Sequence, residues 1–201
     1  MQLSNRVAVV LLVLAVAVSA SADNIVLNPG FETGDLTNWQ VFGESPSSSA
    51  SVLMGDNGIS APGDYNCFID NQAEANAVTL KQSTPVGSAI AGEVYYAFDC
   101  KLDQADAGGV MFIQMFAEQS GVGIVGSSPL IGPIWPWGAW QMFDGTWNAP
   151  AGTDFLTIEF RATTGATSGS NCIVHVDNVV MDQGVSPVES ASWSTIKAMY
   201  R

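Results

Sequence analysis

Apolar positions along this chain recur at period two, not at the 3.6-residue spacing of a helix. In 78–82 the alternation puts Val78, Leu80 and Gln82 on one face, as in a half-buried strand. Segments 25–27, 39–42, 50–54, 65–70, 93–102, 110–117, 140–147, 155–162 and 172–182 read as further strands. Turn chemistry separates them: Gly55 to Gly58, Ala61 to Asp64, Ala91 and Gly92 are residues that favour tight reversals. A turn over 103–109 predicts that 93–102 and 110–117 pair as a hairpin. From 119 to 139, Gly121, Gly123, Gly126, Pro129, Gly132, Pro133, Pro136 and Gly138 predict one long surface loop. Residues 163–171 read as a polar hairpin tip. About nine or ten strands with short turns imply an all-β chain, folded as an antiparallel β-sandwich.

The two ends depart from this pattern. Arg6 followed by the apolar run 7–18 and by Ala20, Ser21 and Ala22 reads as a secretory signal peptide over 1–22. The expected localisation is therefore secreted, extracellular or at the cell surface. The folded domain is expected over 23–182. Residues 183–189 form a linker, and 190–201 could make one or two helical turns with Ser192 as cap. The ending resembles short tails on exported bacterial proteins, which implies a sorting or attachment role.

Of 201 residues 47% are hydrophobic and 12% charged, a balance that suits a packed body and argues against disorder. The formal net charge is −13. Such a charge disfavours nucleic acid and anionic membrane surfaces as partners, leaving cations, neutral glycans and basic partners. Cys67, Cys100 and Cys172 allow one disulfide with a thiol left over, or three buried thiols. No CxxC spacing is present for a structural zinc site.

The stretch 28–39, Asn-Pro-Gly-Phe-Glu-Thr-Gly-Asp-Leu-Thr-Asn-Trp, organises the rest. Pro29 cannot donate to a ladder, so the chain should turn there. Phe31, Leu36 and Trp39 inside the loop make it a plug. Glu32 lies among them, and a carboxylate beside packed aromatics needs a partner. The stretch resembles the opening of CenC-type carbohydrate-binding modules, which are jelly-roll sandwiches of the galactose-binding-like kind. Residues 80–86 and 174–182 are similar to later parts of that family.

The resemblance implies a structural calcium that ties the first loop to the last strand. It implies the Gly30 carbonyl, Glu32 and Asp177 as ligands, with Asp56 as the candidate from the loop after the third strand. Oxygen donors of this mixed kind suit calcium. It also implies a glycan or polysaccharide partner bound by aromatic stacking. Residues 134–140 hold three tryptophans among prolines. Trp140 stands at the family's framework position and reads as core. Trp135 and Trp137 are the candidate sugar platform, with Tyr65 and Gln114 as further contacts.

Catalysis is not expected. The chain has one histidine, His175, inside a strand pattern, so a serine–histidine–aspartate triad would have to use it. Glu93, Asp99, Glu118 and Glu159 on strands have the ordinary explanation of solvated faces. The function expected is a secreted, non-catalytic glycan-binding module. The alternatives are a structural surface or matrix protein without a sugar ligand and, more weakly, a small glycan-cleaving enzyme.

Overall fold

A computed structural model describes residues 24–134 and 138–184. The signal peptide, the tail and the Trp135 and Trp137 platform lie outside them. Among the described residues there are eleven strands: β1 Gln40–Phe42, β2 Ser48–Met54, β3 Tyr65–Asn71, β4 Ala77–Ser83, β5 Gly92–Asp106, β6 Val110–Gln119, β7 Gly123–Ser127, β8 Ile131–Ile134, β9 Gln141–Ala149, β10 Phe155–Thr163 and β11 Asn171–Asp182. They form two antiparallel sheets. One runs β1-β4-β10-β6-β7, with β8 also on β6, and the other runs β2-β3-β11-β5-β9. This is the antiparallel sandwich that the alternation predicts, in the jelly-roll layout that the resemblance implies.

The core is the layer between the sheets. Leu80, Ile113, Met115, Ile158 and Phe160 from one sheet meet Ile69, Phe98, Leu102, Val174 and Val176 from the other, all 0 to 1% exposed. Phe98 sets its ring edge-on to Phe160, with centroids 5.2 Å apart. The plug behaves as expected. Phe31 is fully buried and Trp39 is 7% exposed, and they pack ring on ring at 5.3 Å. Trp39 in turn meets Phe160 at 6.2 Å, so the loop closes one end of the core.

Three expectations need correction. Residues 25–27 form no strand. They run beside β11 through Ile25 N–H to Met181 O at 2.9 Å and Asn24 Nδ2 to Val179 O at 2.9 Å. The Gln82 amide brackets Leu27, accepting from its N–H at 2.7 Å and donating to its carbonyl at 2.8 Å. Strands β5 and β6 do not pair. Both edges of β5 are taken by β11 and β9, so the chain crosses to the other sheet and β6 joins β10. The crossing is tight: a Cβ on Gly109 would lie 1.7 Å from Asn171 O. The 119–139 segment is not one loop, because β7 and β8 add to the free edge of β6.

The cysteines settle between two alternatives. All three thiols are free and fully buried, the second of the two arrangements that the sequence allows. Burial pushes the Cys67 and Cys100 thiols well up, and the Cys172 thiol up to about 12. They behave as small apolar groups.

Candidate functional site

Two features stand out, one at the plugged pole and one on a sheet face. At the pole, Asp99 of β5 and Asp177 of β11 are opposite one another in register. Both point away from the core and are 0% and 1% exposed. The 55–64 loop covers them. Asp177 accepts from Gly58 N–H at 2.8 Å and from Asn178 N–H at 2.7 Å. Asp99 accepts from Ser60 N–H at 2.7 Å and from Asn178 Nδ2 at 2.8 Å. Glu32 reaches the same loop from the plug, accepting from Asp64 N–H at 3.0 Å and Tyr65 N–H at 3.3 Å. Gly30 stands between them: a Cβ there would lie 3.5 Å from Asp177 Oδ1 and 3.6 Å from Glu32 Cγ.

The structure thus brings Gly30, Glu32 and Asp177 together and adds Asp99, which the sequence reading had placed on a solvated face. Asp56 does not join them. Its carboxylate pairs with Lys101, which holds it below the usual carboxylate range. Burial raises Asp177 to about 6, opposed by the two amide bonds and reinforced by the charges of Asp99 and Glu32. Among the described residues none of these three acids makes an ion pair with Lys or Arg. The donor set is all oxygen, with Asp99 and Asp177 buried and Glu32 exposed, and it has the chemistry of a hard-cation site. As they stand the carboxylates face loop amides, and among the described residues no three acidic, histidine or cysteine side chains converge on one ion.

Trp140 is not a core residue. It is half-buried, its ring meets His175 at 5.9 Å, and its Nε1–H donates to Asp56 O at 2.9 Å. Beneath it His175 contacts Asn66 Oδ1 at 2.8 Å and Asp103 Oδ2 at 3.2 Å. Burial, then the Lys101 charge, lowers its pKa. This is the structural histidine expected from its strand position.

The second feature is the outer face of the six-stranded sheet. Inward residues of β6 and β10 fill the core, so the alternate residues face out. Register sets them in rows. Phe42, Thr79, Arg161 and Phe112 form one row across β1, β4, β10 and β6. Gln40, Lys81, Glu159 and Gln114 form the next, and Ser83, Thr157 and Phe116 the third. A cleft of about 340 Å³ opens here, lined by Phe112, Gln114, Phe116, Leu130, Glu159 and Arg161. That volume lies in the range of small-ligand sites. Leu130, between β7 and β8, is 53% exposed. Gln114 is steadied by donating from Nε2 to Ser128 O at 3.1 Å. Glu159 sits between two cations, 3.7 Å from Lys81 Nζ and 3.5 Å from an Arg161 nitrogen.

Gln114 is therefore in the cleft, while Tyr65 starts a strand of the other sheet and packs 3.6 Å from the Cβ position of Gly34. The two are not brought together. Phe112, Phe116, Lys81, Glu159 and Arg161 were missed as site residues. Their signal is present in the sequence, as polar and aromatic residues at alternate positions of β4, β6 and β10. It becomes a site only once these strands pair.

No family model and no curated protein matches the sequence. Solved structures do match the fold. An enzymatically active domain of tailspike protein 4 from bacteriophage CBA120 superposes with a TM-score of 0.63 at 14% identity, over 79% of this chain and 21% of that one. This chain thus spans about a fifth of that domain's length. A CBM61 module in complex with β-1,4-galactotriose gives 0.55 at 17% identity, over 81% of this chain and 99% of the module. A third, described as carbohydrate-binding modules of the β-sandwich superfamily with promiscuous specificity, gives 0.54 at 13% identity over 83% and 64%. These neighbours carry a β-sandwich of the same kind.

Proposed function

We propose that this protein is a non-catalytic, exported glycan-binding module and that the outer face of the six-stranded sheet is its binding surface. The observation that carries the reading is the cleft itself. Two phenylalanines and Leu130 offer apolar surface to the C–H faces of sugar rings, and Gln114, Glu159 and Arg161 offer hydrogen bonds to hydroxyls. Likeness in fold to modules described as binding carbohydrate supports it. Trp135 and Trp137 remain part of the proposal, because their neighbour Ile134 pairs with Met111 at the edge of the same sheet.

Calcium bound by Glu32, Asp177 and the Gly30 carbonyl is the second element of the proposal, with Asp99 as an added oxygen donor. It is supported by two nearly unexposed carboxylates that, among the described residues, no lysine or arginine neutralises. The ion would supply the missing positive charge and fix the plug to β11.

The test is binding of the mature protein to a polysaccharide panel, read by affinity electrophoresis and calorimetry. Phe112→Ala and Phe116→Ala should each weaken binding by about tenfold, the scale of one lost aromatic contact. Retention of full affinity by both, and by a Trp135→Ala/Trp137→Ala double variant, would remove this surface as the site.

A further inference from the structure

We propose that the cleft selects glycans carrying isolated acidic substituents, a carboxylate or sulfate on an otherwise neutral chain. This rests on the glycan-binding reading above and names the ligand class of the same site. The starting observation is where the positive charge lies. The protein has nineteen acidic side chains against six basic ones. Among the described residues only Lys81, Lys101 and Arg161 are lysine or arginine. Lys101 is on the other sheet, held by Asp56 and Asp103. The other two stand on neighbouring strands of the cleft face, in adjacent rows.

One counter-charge lies between them. Glu159 is shared by both cations, at distances of 3.7 and 3.5 Å. These are long for charge-assisted contacts, which sit near 2.8 Å. The Arg161 side chain is 53% exposed, so its planar fork keeps donors available for a bidentate anion. Two cations around one carboxylate leave a local surplus of one positive charge beside Phe112. The acid of β6, Glu118, lies three rows away from Arg161 and accepts from the Thr157 hydroxyl.

The rest of the molecule narrows the ligand class further. A net charge of −13 repels a dense polyanion along its whole length. A single acidic group on a neutral chain meets only the local surplus. Local attraction with global repulsion is a selective arrangement, since it penalises the wrong ligand as well as favouring the right one.

The experiment is an array of oligosaccharides containing glucuronic, galacturonic or mannuronic acid, and of singly sulfated oligosaccharides. Each acid is printed beside its methyl ester, each sulfate beside its neutral parent, and dense polygalacturonate and dextran sulfate are included. The expected result is binding of a singly charged member about tenfold tighter than its neutral counterpart. Read as the ratio of acid to neutral binding, the preference should be abolished by Arg161→Gln and strengthened by Glu159→Gln, whatever either change does to binding of the neutral form. Equal binding of acid and neutral forms, both weakened by Phe112→Ala, would overturn the inference and keep the glycan site. Tightest binding to the dense polyanions would overturn the preference for isolated charge. Silence of the array and of the polysaccharide panel would remove the glycan reading and this inference with it.

Discussion

In the absence of divalent metal, raising the pH should destabilise this protein, with Asp177 as the cause. The carboxyl is 1% exposed, and its pKa rises from 3.8 to about 6, first through burial and also through the charges of Asp99 and Glu32. Between those two pH values the folded state holds a proton that the unfolded state has released. Stability from this group is therefore full below the lower value and lost as pH climbs through the upper one. The whole effect is about 3 kcal/mol, of which about 2 remain to be lost between pH 4.5 and 7. Asp177→Asn has no charge to lose. It leaves one loop N–H facing an amide nitrogen, at a constant cost of about 1–3 kcal/mol.

The assay is urea unfolding in chelator at several pH values, with the wild-type advantage over Asp177→Asn plotted against pH. That difference should shrink by about 2 kcal/mol from pH 4.5 to 7. Taking the difference removes His175, whose pKa is lowered from 6.5 by burial and which adds stability as pH rises. A difference that stays flat or grows with pH would refute the reasoning. It would mean that the amides of Gly58 and Asn178 more than offset the burial of the charge.

Other outcomes follow from the same geometry. Calcium added at pH 7 should raise the wild-type melting temperature and leave a Glu32→Gln/Asp177→Asn double variant unmoved; thermal scans with and without chelator check this. Gly58→Ala places a Cβ 2.5 Å from Asp99 Oδ2 and 2.6 Å from Asn178 Nδ2, and should cost about 1–3 kcal/mol in urea unfolding by forcing the loop off both acids. Phe160→Ala removes the ring that Phe98 and Trp39 pack against, and should cost about 3–5 kcal/mol. The three thiols should resist a thiol reagent in the folded protein and react together once urea unfolds it, because burial holds each of them protonated.

Much of the sandwich was legible because its strands bury one face, and period two records that directly. The plug was legible because Phe31 and Trp39 sit among residues that cannot continue a strand. The β5 to β6 relation was not. A short turn between two alternating segments reads as a hairpin, and only the claims of β9 and β11 on both edges of β5 send β6 to the other sheet. Strands β7 and β8 were hidden because glycine and proline dominate 119–139, and edge strands tolerate both. Trp140 was misplaced for a related reason: its aromatic bulk suggests burial, but its indole N–H has its acceptor at Asp56, outside the core. The acid cluster was half visible. Glu32 and Asp177 came with a motif, whereas Asp99 looks like any polar residue on a strand until the 55–64 loop folds over it.

The segment 24–27 lies hydrogen-bonded along the last strand, so the domain begins and finishes at the same pole. A short peptide could join Gly184 to Asn24 while new ends are cut in the exposed turn at 166–168. Such a circular permutant should keep every strand pairing. By the same token the whole sandwich could be spliced into a surface loop of an unrelated host without being pulled apart, and the cleft face would stay open to bulk solvent.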